Sequence, residues 1–252
     1  PLMVKSPLSI ADFPEGFESR LAANLQSCRQ RIAAAALKAG REEKEITLLT
    51  VTKYVDPGVM RVLHSLGIRN FGENRSLEAV EKCRALSDLA GTRIHFIGHL
   101  QRNKARQTLE HCCSLHSLDS RRLLLEVEKR LEDPAASLEE IYIEVNLADE
   151  DSKTGLRARD LPALLDSFSD CEKARKRIRG LMTIPPFCED PESSRPYFAQ
   201  LRELRDRFSS SGQLPATAGL SMGMSSDYKQ AILNGSTYLR LGTIIFSSRS
   251  YC

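Results

Sequence analysis

Lys53 closes an apolar, β-branched run, Ile46-Thr47-Leu48-Leu49-Thr50-Val51-Thr52-Lys53, and Asp56-Pro57 then opens a helix. A lysine so placed is held by a sheet with its amine at the mouth of a site. A desolvated amine has a lowered pKa and attacks an aldehyde to give a Schiff base. On this segment alone a strand-end lysine whose stem packs while its ammonium reaches water is the commoner reading. Two stretches near the other end of the chain, Ser221-Met222-Gly223-Met224-Ser225 and Arg240-Leu241-Gly242-Thr243, combine glycines with hydroxyls. Glycines let a backbone approach a phosphate closely, and serine and threonine add donors. Singly, either stretch is also an ordinary tight turn. Between these ends lie Phe71-Gly72-Glu73-Asn74, with a carboxylate and an amide, and Ile97-Gly98-His99-Leu100-Gln101-Arg102-Asn103-Lys104.

The elements that must position these residues alternate along the chain. A first amphipathic helix is expected from Phe17 to Ala39, with Leu21, Leu25, Cys28 and Ile32 on one face and Gly40 as the stop. Strands are expected at Ile46–Thr52, Arg69–Gly72, Arg93–Ile97, Ser114–Leu118, Ile141–Leu147, Ile178–Thr183, Gly219–Met222 and Tyr238–Phe246. Asp56-Pro57 caps one intervening helix, Asp119 another, and Asp227 opens a short one ending at Asn234-Gly235. Strands alternating with helices imply parallel βαβ units. Eight of them predict an α/β fold, a (β/α)8 TIM barrel in a single domain over residues 17–252, with an additional N-terminal helix. Residues 1–16, broken by Pro7, Pro14 and Gly16, read as a flexible arm. A doubly wound open sheet is the alternative. In a barrel, ligands sit at the C-terminal strand ends, and the last two loops commonly form a phosphate site. Lys53 and both glycine-hydroxyl stretches fall there.

Composition narrows the function class. The chain has 252 residues with 36 Lys plus Arg against 33 Asp plus Glu, a net charge of +3 that argues against a nucleic-acid surface. No segment has signal-peptide order or membrane-span length, so a cytoplasmic protein is expected, its seven cysteines reduced. His111-Cys112-Cys113-Ser114-Leu115-His116 holds soft ligands, but the second half of a paired C-x2-C motif is missing. The run Lys173-Ala174-Arg175-Lys176-Arg177 reads as a solvated face.

Thr50-Val51-Thr52-Lys53, Phe71-Gly72-Glu73-Asn74, His95-Phe96-Ile97-Gly98-His99-Leu100-Gln101, Ser152-Lys153-Thr154-Gly155, Gly180-Leu181-Met182, Leu220-Ser221-Met222-Gly223-Met224-Ser225 and Arg240-Leu241-Gly242-Thr243 keep a fixed order from about residue 17 to 246. In this set the sequence resembles the pyridoxal-phosphate homeostasis proteins of the YggS/PROSC type. The resemblance implies a barrel like the N-terminal domain of alanine racemase, binding pyridoxal 5′-phosphate (PLP). It implies that Lys53 carries the cofactor as a Schiff base and that Ser221, Gly242 and Thr243 hold its phosphate. Arg240 is implied at the pyridine nitrogen and Asn74 beside the ring, with Ser225 and Met222 as further contacts. Ser247 stands where the family usually has glycine.

A guanidinium only donates hydrogen bonds, so Arg240 against the pyridine nitrogen would leave the ring a weak electron sink. A salt bridge of Arg240 to Glu144 or Glu73 is the competing expectation. Racemization needs a second acid/base opposite the lysine, and Tyr54, Tyr228 and Tyr238 each read better as packed aromatics. With the sequence read as ending at Cys252, the β domain that completes the racemases is expected to be missing. The expected function is therefore a non-catalytic, monomeric PLP carrier that maintains vitamin B6 homeostasis and amino- and keto-acid balance, without nucleic acid or membrane partners. PLP-dependent apoenzymes are the expected recipients. The alternative is a fold-type III PLP enzyme with weak racemase activity. Lys104 and Lys153 are candidates for a second amine.

Overall fold

The computed structural model describes residues 16–150 and 154–247. The expected arm therefore lies, all but Gly16, outside the described residues, as do Ser152, Lys153 and Cys252. Among the described residues nine parallel strands follow one another as β1 (Thr47–Val51), β2 (Asn70–Glu73), β3 (Arg93–Phe96), β4 (Ser114–Leu118), β5 (Glu140–Asn146), β6 (Leu156–Arg157), β7 (Ile178–Met182), β8 (Gly219–Ser221) and β9 (Tyr238–Leu241). Pairing runs β4-β3-β2-β1-β9-β8-β7-β5, and β4 also pairs with β5. That last pairing closes the ring. The structure is thus the (β/α)8 barrel, and the open-sheet alternative falls. β6 stands outside the ring, joined only to the C-terminal end of β5 through Val145–Leu156 and Asn146–Arg157.

The helices are α1 (Phe17–Lys38), α2 (Pro57–Ser65), α3 (Ser76–Ala85), α4 (Ala105–Leu109), α5 (Arg121–Arg130), α6 (Leu161–Asp166), α7 (Glu172–Arg175), α8 (Arg195–Ser210), α9 (Tyr228–Leu233) and α10 (Thr243–Phe246). Asp56 caps α2 through Gly58 N, as its spacing predicts. Two expectations change. Ser120, not Asp119, caps α5 by accepting from Leu123 N. The last strand stops at Leu241, and Thr243–Phe246 forms a helical turn instead of continuing it. An apolar run such as Ile244-Ile245-Phe246 suits either state. Gly242 ends the ladder beside Val51, where the run turns back to pack against α1. Among the described residues no helix is long and apolar enough to cross a membrane.

Alternation along each strand separates two environments. Outward residues such as Leu115, Ile141, Ile143, Leu181, Leu220 and Leu239 join helix residues Leu63, Leu123, Phe198 and Ile232 in one apolar layer. The inside is polar and aromatic. His95, His116, Tyr142 and Tyr238 meet there with ring centroids 4.7–5.6 Å apart. This inner stack fills the barrel below the rim, so a ligand has room only at the C-terminal mouth.

Candidate functional site

Lys53 stands at that mouth. Gly72 packs against Leu49, which places Leu49 inside the ring, and the two-residue period carries the inward side through Val51 to Lys53. The residue is exposed, and among the described residues its amine has neither hydrogen bond nor ion pair. It is the second residue of a turn closed by Val55 N donating to Thr52 O at 2.9 Å. Tyr54, the third, has φ 63°, a left-handed conformation unusual for an aromatic residue.

The register delivers the glycine-hydroxyl stretches to the same place. β1 pairs with β9 through Thr50–Leu241, so the next residues, Val51 and Gly242, lie side by side. A Cβ on Gly242 would sit 3.2 Å from the Val51 carbonyl oxygen, which explains glycine there. Thr243 follows, exposed, at the start of α10. The loop after β8 closes against this turn, with Ile244 N donating to Ser225 Oγ at 3.3 Å. Lys53 therefore shares one rim sector with Ser225, Gly242 and Thr243 although more than 170 residues separate it from them in sequence.

Ser221 and Met222 go elsewhere. Ser221 is fully buried, and its Oγ accepts from Arg240 Nη1 at 2.8 Å and lies 2.8 Å from His116 Nδ1. Burial, with the neighbouring His95 and Arg240, keeps His116 well below the ordinary histidine pKa, so its ring is neutral. The serine oxygen thus bridges the Arg240 guanidinium and the neutral His116 ring. This arrangement commits Ser221 to holding the barrel floor, which leaves Ser225 as the serine facing the glycine turn. The Met222 side chain packs in the outer apolar layer, not toward the rim.

Arg240 is 4% exposed, and its second nitrogen donates to Thr183 O at 2.8 Å. Among the described residues it forms a salt bridge with neither Glu144 nor Glu73. Burial lowers its pKa to about 10, so it remains a cation at neutral pH. Asn74 follows β2, and its Oδ1 is buried without a partner. Gly98 makes room for it, since a Cβ there would fall on the Asn74 carbonyl oxygen.

Glu73 is not the rim carboxylate its position in sequence implies. It faces outward, fully buried between β2 and α3, bonded to Lys82 Nζ at 2.9 Å and Thr52 Oγ1 at 2.5 Å. Burial pushes its carboxyl up, opposed by the Lys82 ammonium and then the Thr52 hydroxyl. Sequence reading missed Lys82, although its seven-residue spacing from Arg75 along a helix was available as a signal. The buried rim carboxylate is Glu144, which accepts from Thr154 Oγ1 at 2.8 Å.

Lys104 lines a separate rim cleft of about 520 Å³ with Asn74, Arg75, His99 and Gln101. His111 bonds Gln107 O while His116 points into the barrel, so the His-Cys-Cys run is split; no metal-ligating cluster occurs among the described residues. The six cysteines among the described residues are free thiols. Lys173 and Lys176 pair with Glu132 and Glu172, as a solvated face would. The Tyr54 hydroxyl accepts from Arg75, Tyr228 is buried, and Tyr238 donates to Glu140 at the start of β5, the end of the barrel remote from Lys53.

Comparison with known proteins adds an independent line. Residues 19–250 match the family model described as alanine racemase, N-terminal domain. A pyridoxal phosphate homeostasis protein of Aquifex aeolicus is 40% identical over 88% of this chain and 95% of its own length. The structure of PipY from Synechococcus elongatus with PLP bound is 32% identical and superposes with a TM-score of 0.79 over 90% of this chain and all of that one. Alanine racemase of Corynebacterium glutamicum, 13% identical with a TM-score of 0.63 over 93% of this chain and 62% of its own, shares the fold.

Proposed function

The chain belongs to the pyridoxal phosphate homeostasis proteins within the alanine racemase N-terminal-domain family, and on that premise we propose that it binds PLP at the barrel mouth and serves as a non-catalytic carrier of the cofactor. The residues present fit the group. An unpaired amine borders a glycine turn with hydroxyls on two sides, a guanidinium is buried on the inward face of β9, and the amide oxygen of Asn74, after β2, is buried without a partner among the described residues. Lys53 supplies the amine for a Schiff base with the aldehyde. Ser225, Gly242 and Thr243 hold the phosphate through hydroxyl and backbone N–H donors, the role the resemblance gave to Ser221. Arg240 offers a donor toward the pyridine nitrogen, and Asn74 borders the ring edge. When bound, PLP supplies an electrophilic carbonyl and a conjugated ring; the protein supplies capture and orientation.

The observation that carries this reading is the β1–β9 register, which sets the lysine beside the glycine-threonine turn. Two features favour carriage over turnover. Arg240 stays cationic and could only donate toward the ring nitrogen, and of the tyrosines that would serve as a second base Tyr54 and Tyr238 are hydrogen-bonded elsewhere while Tyr228 is buried. The fold is monomeric in this reading, and recipients are PLP-dependent apoenzymes. The test loads the purified protein with PLP, removes free cofactor, and follows activation of an apoenzyme. Assays with L- and D-alanine run in parallel. Hand-over without racemization is the expected result; racemization lost in Lys53→Ala would replace carriage with the weak racemase.

A further inference from the structure

Four side chains from β2 and the α3 region, Glu73, Arg75, Glu78 and Lys82, converge on the turn that carries Lys53. Lys82 Nζ, 5% exposed, donates to Thr52 O at 2.8 Å, the same carbonyl that receives Val55 N. Glu73 Oε1 joins Lys82 to the Thr52 hydroxyl. Glu78, one helical turn before Lys82, receives Tyr54 N at 3.5 Å and lies 3.7 Å from Lys82 Nζ. Arg75, at the start of the helix, lays its guanidinium 4.8 Å from the Tyr54 ring centroid and donates to the Tyr54 hydroxyl at 3.1 Å.

Each contact falls on a residue adjoining Lys53, and none on Lys53 itself. Positions 78 and 82 share one face of α3, and Arg75 precedes it as the N-cap residue. The turn between them contains a tyrosine at φ 63°, a conformation that persists only where the surroundings over-determine it. A buried ion pair is a poor source of net stability, because desolvation offsets its attraction. Its better-attested use is to fix one arrangement among several.

We propose that Lys82, with Glu73, Glu78 and Arg75, forms a clamp on residues 52–55 that fixes the strained turn and thereby aims the Lys53 amine into the mouth. Lys82 is a positioning residue and never meets the cofactor. The proposal rests on the PLP reading for its consequence but not for its geometry. Without the clamp, Tyr54 relaxes to negative φ, the peptide on the C-terminal side of Lys53 rotates, and the amine samples solvent instead of the mouth.

The test uses the double variant Glu73→Gln/Lys82→Met, which removes the pair without stranding one buried charge, and the surface variant Arg75→Ala, whose side chain is 49% exposed. Two measurements are made on each. Amide hydrogen exchange of residues 52–56 is read in the cofactor-free protein. PLP affinity and the pH midpoint of the bound chromophore are read in the loaded one. In the double variant, exchange at these amides rises about tenfold while the remaining barrel amides keep their protection. PLP affinity falls about tenfold with a shifted pH midpoint, and Arg75→Ala moves both in the same direction by less. Unchanged exchange and an unchanged pH midpoint in a folded double variant overturn the clamp. Should the double variant not fold, unchanged readings in Arg75→Ala overturn it alone. Wild-type protein that takes up no PLP defeats the carrier reading, while exchange at residues 52–56 still decides the clamp.

Discussion

At the scale of single residues, two serines four positions apart, one ending β8 and one in the loop after it, have opposite duties. Ser221 is the last residue of β8 and inward by parity, so its hydroxyl meets Arg240 and His116. Ser225 lies beyond the glycine bend, on the rim, against Ile244 N. Ser225→Ala is therefore expected to weaken PLP binding about tenfold with little change in thermal midpoint. Ser221→Ala is expected to cost about 1–3 kcal/mol in unfolding free energy, because Arg240 and His116 both lose a buried partner. Urea unfolding and a PLP titration on the two variants separate these outcomes. The sequence reading named both serines but ranked them the other way. The resemblance gave the phosphate role to Ser221; the parity of a strand ending there is what leads us to propose Ser225 instead.

Elements explain why most of the site was legible beforehand. The ends of the ring strands before β9 fell within a residue or two of expectation because each is an apolar run bounded by turn residues, whereas the two-residue β6, Leu156–Arg157, was not expected. A (β/α)8 ring then brings Lys53 and Gly242 together without further information, because the first and last strands must pair. The outward turn of Glu73 was not legible, since it depends on a partner, Lys82, contributed by the following helix. The interior stack of His95, His116, Tyr142 and Tyr238 was also invisible, because each ring belongs to a different strand. The junction of β2 and β3 offers an element-scale test. Gly98→Ala drives a methyl group into the Asn74 carbonyl, and overpacking of this kind costs about 1–3 kcal/mol. Asn74 must shift, so the variant should lose both stability and PLP affinity, measured by denaturant unfolding and chromophore titration.

On the scale of the whole molecule, the neutral histidines inside the barrel link stability to pH. Burial, with Arg93, lowers His95 from 6.5 to about 3, and His116 is also depressed. In the unfolded chain both take up protons below about pH 6.5, while the folded barrel refuses them. Their contribution is complete above pH 6.5 and is lost as pH falls from there toward the folded values, at about 1.4 kcal/mol per pH unit for each ring. The raised carboxyls of Glu73 and Glu144 act in the opposite sense, their contribution growing as pH falls. The comparison is therefore made between parent and His95→Gln, by urea unfolding at pH 8, 6 and 5. The variant should be less stable at pH 8 yet lose stability more slowly on acidification. Parallel profiles would mean that His95 titrates normally in the folded state.

Every part of the site converges on one amine, so the most direct measurement is where the cofactor is attached. Protein loaded with PLP should absorb at about 410–430 nm, lose that band on borohydride reduction, and yield a single modified peptide with the pyridoxyl group on Lys53. Lys53→Ala should fold, show no such band and carry no adduct. A band that survives in Lys53→Ala, or an adduct mapped to Lys104 or Lys153, would contradict the assignment.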